Sequence, residues 1–263
     1  MGKLYLGASI LLLIILTALL GPLLSSYSYH ETDLCWKNSA PSLQFLCGTD
    51  ELGRDLFVRI CMGARLSLFL GTTAACIDLV IGAIFGSVAA LSGKKVQTVM
   101  LRKLNILSTI PYLLLATFLT LLLGPGTGTI LVALTITGWV SMARTVYAQI
   151  TKLKSQEFVI AATLMGASNY HLLRYHFLPH MLDNMIITTT LTIPAAIFTE
   201  AFLSFLGLGV QAPLSSLGSM ADAGILSLRY HPWHFFFPAG TISLLIFSLH
   251  LLADGLQQRR EPC

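Results

Sequence analysis

Charge is what this sequence has least of. Only 11% of its 263 residues are Asp, Glu, Lys or Arg, against about a quarter in soluble globular domains. A soluble fold of this size is thereby excluded, because 55% of the chain is hydrophobic and falls in long runs. A phosphate-binding loop of the form G-x-x-x-x-G-K-[ST] is also missing. Around Gly93 and Lys94 the earlier glycine is Val88, and Lys95 stands where Ser or Thr would be. ATP hydrolysis is therefore not expected of this chain, and it reads as a non-enzyme. Internal repeats and a rich set of intramembrane ionisable groups, which a stand-alone secondary transporter would show, are lacking too. So is the polar cluster that a membrane enzyme would need within its spans. Asp78 and Glu200 are too sparse for that.

The five cysteines have no metal-type spacing. Cys76 falls in a span and Cys263 ends the chain; Cys35 and Cys47 share one loop. In an oxidising compartment that pair is a possible disulfide, with two free thiols as the alternative. Of the seven histidines, His231 and His234 are three apart, but Pro232 and Trp233 between them disfavour a regular helical ligand pair. No metal site is expected.

What is present is a set of spans near the roughly 20 apolar residues that cross a bilayer: 4–24, 66–91, 104–123, 130–150, 182–206 and 235–253. The reading is an all-α, polytopic membrane protein with about six transmembrane helices and a cytoplasmic elbow. Its parts are an N-terminal anchor (1–25), an extracytoplasmic loop with an amphipathic segment (26–65), a membrane domain (66–257) with an inner loop at 151–180, and a tail (258–263). The first span competes with a signal peptide. Its 21-residue apolar run exceeds the 7–15 of a secretory core, and Ser25 and Ser26 make a poor cleavage site. With the N-terminus inside, eleven of the sixteen basic residues fall on inner segments, Lys3, Lys94, Lys95 and Arg260 among them. By the positive-inside rule both termini are then cytoplasmic. The net charge of +4 is topology, and nucleic acid is not a partner.

Within 26–65, Leu52, Leu56 and Ile60 recur every four residues. That period predicts an amphipathic surface helix ahead of the second span, capped by Thr49 or Asp50. "SGKKVQTVMLRK" reads as a short basic loop and "GPGTG" as a tight turn. Pro111 and Pro194 fall inside spans, where proline bends a helix unless neighbours re-satisfy its backbone.

The stretch "EFVIAATLMGASNYHLLRYHFLP" at 157–179 is polar by comparison with its flanks. Phe158, Ala161, Ala162 and Met165 predict one helix face, Gly166 a turn, and Leu172, Leu173 and Phe177 a second short helix closed by Pro179. Helices this short are marginal alone and need packing partners. The segment reads either as a docking knob for a soluble protein or as an interfacial loop; His171, His176 and His180 suit a docking surface.

Here the sequence resembles a family. Ala161, Ala162, Gly166, Leu178 and Pro179 resemble the cytoplasmic EAA motif of ABC-importer permeases. "GTDELGRD" at 48–55, "EAFLSFLGLGVQAP" at 200–213 and the last span at 237–257 narrow this to the C-type permease subunit of dipeptide, oligopeptide and nickel importers. There are departures: Ile160 stands where the motif has Glu, with Glu157 one turn upstream as its candidate substitute; His176 replaces an isoleucine and Leu217 a tryptophan.

The resemblance implies an alternating-access importer, most simply of di- and oligopeptides, or alternatively of nickel or another small solute, in a bacterial inner membrane. Its pore is heterodimeric, shared with a second permease subunit. Two cytoplasmic ABC ATPases hold the ATP and Mg, an extracytoplasmic substrate-binding protein delivers cargo, lipid surrounds the spans, and this chain binds no cofactor. Glu157, Ala161, Ala162, Gly166, Ala167, Ser168, Leu178 and Pro179 are then the coupling helix that meets an ATPase. Glu200 with Ser204 suggests a gate or subunit contact ahead of direct substrate binding, and Gly207, Gly209 and Pro213 a tight outer turn at the gate or at the docking surface for the binding protein. Asp50, Glu51, Gly53, Arg54 and Asp55 suggest a self-paired surface helix ahead of a site for a cationic substrate, serving outer-face architecture and contact with the binding protein. Asp78, whose mid-membrane carboxylate costs about 2.5–3.5 kcal/mol, lines the pathway or packs on the partner.

Overall fold

The computed structural model describes residues 2–25, 27–210 and 214–259. Ser26, Pro213, Arg260 and Cys263, named above, lie outside these. Among the described residues there are ten α-helices and no β-strand, only an isolated bridge between Thr49 and Asp55. Five helices are long and apolar enough to cross a membrane: α1 (Gly2–Leu24), α2 (Leu56–Leu91), α5 (Thr127–Leu153), the run ending in α8 (Leu178–Phe205), and α10 (Trp233–Gln258). A sixth span would be the bent pair α3 (Lys94–Thr109) and α4 (Tyr112–Leu123). The short helices are α6 (Glu157–Leu164), α7 (Asn169–Leu172) and α9 (Leu217–Ser227). The all-α, membrane-spanning expectation holds.

Three local expectations do not. First, no separate surface helix precedes the second span. Asp55, not Thr49 or Asp50, caps α2 by accepting from Phe57 N–H at 2.9 Å. From there the helix runs unbroken for 36 residues. Leu56 and Ile60 face inward onto Leu217, Met220 and Leu245 rather than a lipid surface, while Leu52 stays exposed in the preceding turn. Second, the basic inner "loop" is mostly helical, since α3 starts at Lys94. The predicted third span is broken at Ile110–Pro111 with an 81° bend. Proline pushes its predecessor out of the helical region, and Ile110 is extended at φ −72°, ψ 122°. Pro194, by contrast, lies within the continuous α8. Third, Pro179 does not close the second elbow piece. It occupies the first turn of α8, where proline is tolerated, and α7 passes through a π-helical turn (Leu173–Phe177) directly into that span.

The bundle is tightened by small residues at crossings. α2 packs along α5 through Gly82 and Gly86: a Cβ on either would sit 2.6 or 2.5 Å from Met142 Cβ or the Ala143 carbonyl. α1 lies against α10, with Gly255 touching Leu4. Lys3 pairs with Asp254 across the same contact at 3.8 Å. Close approach at small residues is how helices associate where lipid removes the hydrophobic drive. Asp183 and Ile186 near the start of α8 share a groove with Leu256 and Arg259. Both described ends of the chain therefore lie at the same end of the bundle as α6 and α7.

Candidate functional site

The elbow formed by α6, α7 and the π turn is gripped on one face. Val159, Ala162, Leu172 and Phe177 are buried in a cluster with Ala90, Met142, Val146, Ile150 and Met181 from α2, α5 and α8. Lys154 reinforces the grip by donating to the Ala90 carbonyl at 2.6 Å. The inward face of α6 thus differs from the predicted one. Of Phe158, Ala161, Ala162 and Met165, only Ala162 is buried, and Val159 is its partner one turn back. Eight residues carry too few turns for the period to choose between adjacent faces.

The other face carries the finding. Leu164 and Met165 are 84% and 83% exposed, with Ile160, Tyr170 and Tyr175 also open. Ala161, Glu157, Ser168, Leu178 and Pro179 are exposed as well, and Ala167 packs partly against the buried cluster. Glu157 sits in the first turn of α6, where a carboxylate suits the helix dipole. Gly166 turns the chain at φ +86°. Its N–H donates to the Thr163 carbonyl at 3.0 Å, and the Ala167 N–H reaches the Ala162 carbonyl at 3.1 Å. This is the glycine-dependent helix stop, as the sequence led one to expect. Ser168 then caps α7 by accepting from His171 N–H at 3.2 Å. His171, His176 and His180 gather with Phe158, which stacks on His180 at 5.2 Å.

Glu200 is fully buried by its own chain. Ser67 of α2 donates to one carboxylate oxygen at 2.7 Å and Ser204 to the other at 2.9 Å. The side chain clamps α2 to α8 within the chain. Gly207 stops α8 at φ +76°, again with paired return bonds, Gly207 N–H to Ser204 and Leu208 N–H to Leu203. Gly209 folds back so tightly that a Cβ would lie 1.9 Å from Ser204 Oγ. Asp78 lies between helices: a Cβ on Gly138 would come within 2.2 Å of its Oδ2.

At the opposite end, Asp50 organises the "GTDELGRD" turn. Its Oδ1 accepts from the N–H groups of Leu52 and Arg54 at 2.9 and 3.0 Å. Its Oδ2 pairs with Arg54 Nε at 2.7 Å and lies 3.6 Å from Arg59. Self-pairing is as expected, in a turn rather than a helix; Glu51 is exposed there. Gly53 is required twice over, by φ +71° and by the Asp33 carbonyl 1.8 Å from where a Cβ would stand. His234 ties the turn down, with Nε2 2.6 Å from the Thr49 carbonyl and Nδ1 2.9 Å from Ser227 Oγ. Both of its ring nitrogens are thus engaged within the chain. Burial pushes the Asp55 carboxyl up from its usual value, against the N–H bonds that pull it down.

Cys35 and Cys47 are free thiols, not a disulfide. Cys35 is exposed in a single 3-10 turn, Leu34–Trp36. Cys47 packs into the cluster around Leu56 and Leu217, and burial, then the nearby Asp55, pushes its thiol up to about 12.

Comparison with known proteins completes the picture. Residues 5–41 match the family described as the N-terminal TM domain of oligopeptide transport permease C. Among similar proteins, the oligopeptide transport system permease protein OppC of Bacillus subtilis is 46% identical over 97% of this chain and 84% of its own length. The dipeptide transport system permease protein DppC of the same organism is 47% identical over 97% and 80%. OppC of Escherichia coli is 38% identical over 96% and 84%. The fold is similar to a chain of the MetNI methionine ABC transporter in an inward-facing form, with TM-score 0.61 and 18% identity over 76% of this chain and 95% of that one. With residues 82–262 also matching, the chain belongs to the family of binding-protein-dependent transport system inner membrane components.

Proposed function

We propose that this chain is one of two permease subunits of an ATP-driven importer of di- and oligopeptides, and that its elbow is the point where ATPase motion enters the membrane. The observation that carries the reading is the two-faced elbow. One face is locked into the bundle through Val159, Ala162 and Phe177, and the other leaves Leu164 and Met165 in the open. Apolar side chains so exposed on a rigid knob suit a partner's groove.

The chemistry of ATP lies elsewhere, on two cytoplasmic ATPases with their Mg, and this chain supplies the passage and the lever. The lever is continuous: α7, the π turn and α8 form one run, Asn169–Phe205. A push on the elbow moves α8, which carries Glu200 toward its far end and a row of threonines between. Alternating access then amounts to tilting α8 and α5 against the second permease, opening the cavity to one side and then the other. The elbow end, with both termini, faces the cytoplasm, and the turn built on Asp50 and Gly53 receives the substrate-binding protein. Relatives named for oligopeptide and dipeptide transport support peptides over the nickel alternative.

The test is uptake in a strain lacking this chain. Accumulation of a labelled tripeptide should fall at least about tenfold and return with the plasmid-borne chain. Normal peptide uptake together with lost nickel uptake would overturn the peptide assignment.

A further inference from the structure

Between α2, α4, α5 and α8 lies a cavity of about 390 Å³, within the size range of small-molecule sites. Its chemistry is one-sided. Asp78 is the formal charge on its wall, and no Lys, Arg or His lines it among the described residues. Asp78 is only 3% exposed, and its Oδ1 has no hydrogen-bond partner. The Tyr112 hydroxyl, on the same wall where the chain restarts after the 81° bend, is buried and equally unpartnered. Buried polar groups are satisfied in the great majority of cases, so two orphans on residues that line one cavity point to a group that reaches them when it binds.

The threonines sharpen what that is. Thr188, Thr192 and Thr199 line the cavity along α8, one or two turns apart. Each gives its hydroxyl proton to a carbonyl four residues back, at 2.8, 2.9 and 2.7 Å. A hydroxyl has one proton and two lone pairs, so what these residues have left for the cavity is acceptor capacity. A lone carboxylate, an aromatic ring and a row of acceptors suit a compact cation rich in N–H donors. They do not suit an anion. A single carboxylate is also few for a divalent metal, which takes several oxygen ligands including charged ones.

We propose that this cavity recognises a primary ammonium group, namely the free amino terminus of a peptide in transit. Asp78 is the counter-ion, and Tyr112 and the threonine row accept the remaining N–H groups. The site deepens the peptide-importer reading and rests on it. It makes passage through the pore selective for cargo with an unblocked amino end, independently of any selection by the substrate-binding protein. Because Thr188 and Thr192 ride on the same run as the elbow, movement of α8 would separate the acceptors from Asp78 and release the group.

The experiment uses the complete complex in lipid nanodiscs, without the substrate-binding protein. Weak binding of Leu-Phe-amide and of its N-acetyl form is titrated by saturation-transfer NMR. Native complex should bind the free-amine peptide at least about tenfold more tightly than the acetylated one. Asp78→Asn should weaken the free-amine peptide to the acetylated level and leave the acetylated peptide unchanged. Tyr112→Phe should cost about threefold on the free-amine peptide alone. Such non-additivity between a ligand group and a side chain is the signature of direct contact. Equal binding of the two peptides by native complex would overturn the proposal. So would an Asp78→Asn effect of the same size on both peptides, since that would make Asp78 a structural partner for the second permease. If Asp78→Asn fails to assemble, the acetylation comparison on native complex and Tyr112→Phe still decide. The peptide-importer reading is read separately in the same sample, from stimulation of ATP hydrolysis by the liganded binding protein.

Discussion

Met165→Asp is expected to reduce peptide uptake about 100-fold or more while leaving the chain folded and in the membrane. Met165 is 83% exposed and follows the last helical residue of α6, so the substitution removes almost no intramolecular packing. Surface changes of that kind alter stability by no more than about 0.5 kcal/mol. If the elbow docks as proposed, the same position lies against a partner's groove, and an unpaired carboxylate there loses hydration with nothing to replace it. Breaking the pairing of a buried interfacial charge costs about 3–5 kcal/mol, and 1.4 kcal/mol is tenfold in affinity. Met165→Leu, which conserves volume and apolarity, should restore uptake. The readouts are recovery of ATPase subunits with the tagged chain and the rate of labelled tripeptide uptake. A folded Met165→Asp chain that still recovers its ATPases and transports normally would remove the elbow from the mechanism. Ala162→Asp makes the useful contrast. Ala162 is buried against Phe177 and Val159, so that change should unseat the elbow itself and lower expression.

Glu200→Ala is expected to destabilise the subunit by about 3 kcal/mol, from the stranded hydroxyls of Ser67 and Ser204 and from the space left behind. The carboxylate has zero exposure and joins α2 to α8 through bonds of 2.7 and 2.9 Å. Glu200→Gln keeps the shape and one good acceptor, and should cost about 1 kcal/mol. Thermal unfolding in detergent, followed by the loss of monodisperse chain on gel filtration, gives the order native, Gln, Ala. A Glu200→Gln subunit as stable as native yet inactive in uptake would show instead that the carboxylate acts in the passage and not as a clamp.

Sequence reading succeeded where a local property decides the structure. Apolar runs located the spans because a bilayer demands length and little else. Gly166 was legible as a turn, and it adopts the positive φ that glycine permits. Reading failed where distant residues decide. Nothing near Leu56 says that Leu217 and Leu245 will bury it, so the first turns of α2 looked like a surface helix. Pro111 announced a bend but not 81°, because the angle depends on how α3 is held. Arg144 reaches across to Ser108 at 2.7 Å and Asn105 at 3.1 Å. Glu200 stood out by family likeness as a gate or subunit contact, yet its partner Ser67 lies 133 positions away, so the internal clamp between α2 and α8 could not be read from the sequence. The acceptor row facing Asp78 was likewise invisible until the folded chain brought α2, α4, α5 and α8 around one cavity.

The most direct test of the account is disulfide cross-linking from the elbow. Cysteine replaces Met165 in a chain whose native cysteines have been changed to serine, and single cysteines line the groove of each co-purified ATPase. The account expects a cross-link from position 165 to one ATPase, with a yield that changes between the nucleotide-free and ATP-bound states and with blocked uptake once it forms. Cross-linking from position 165 to no ATPase, in complexes that assemble and transport, would contradict it.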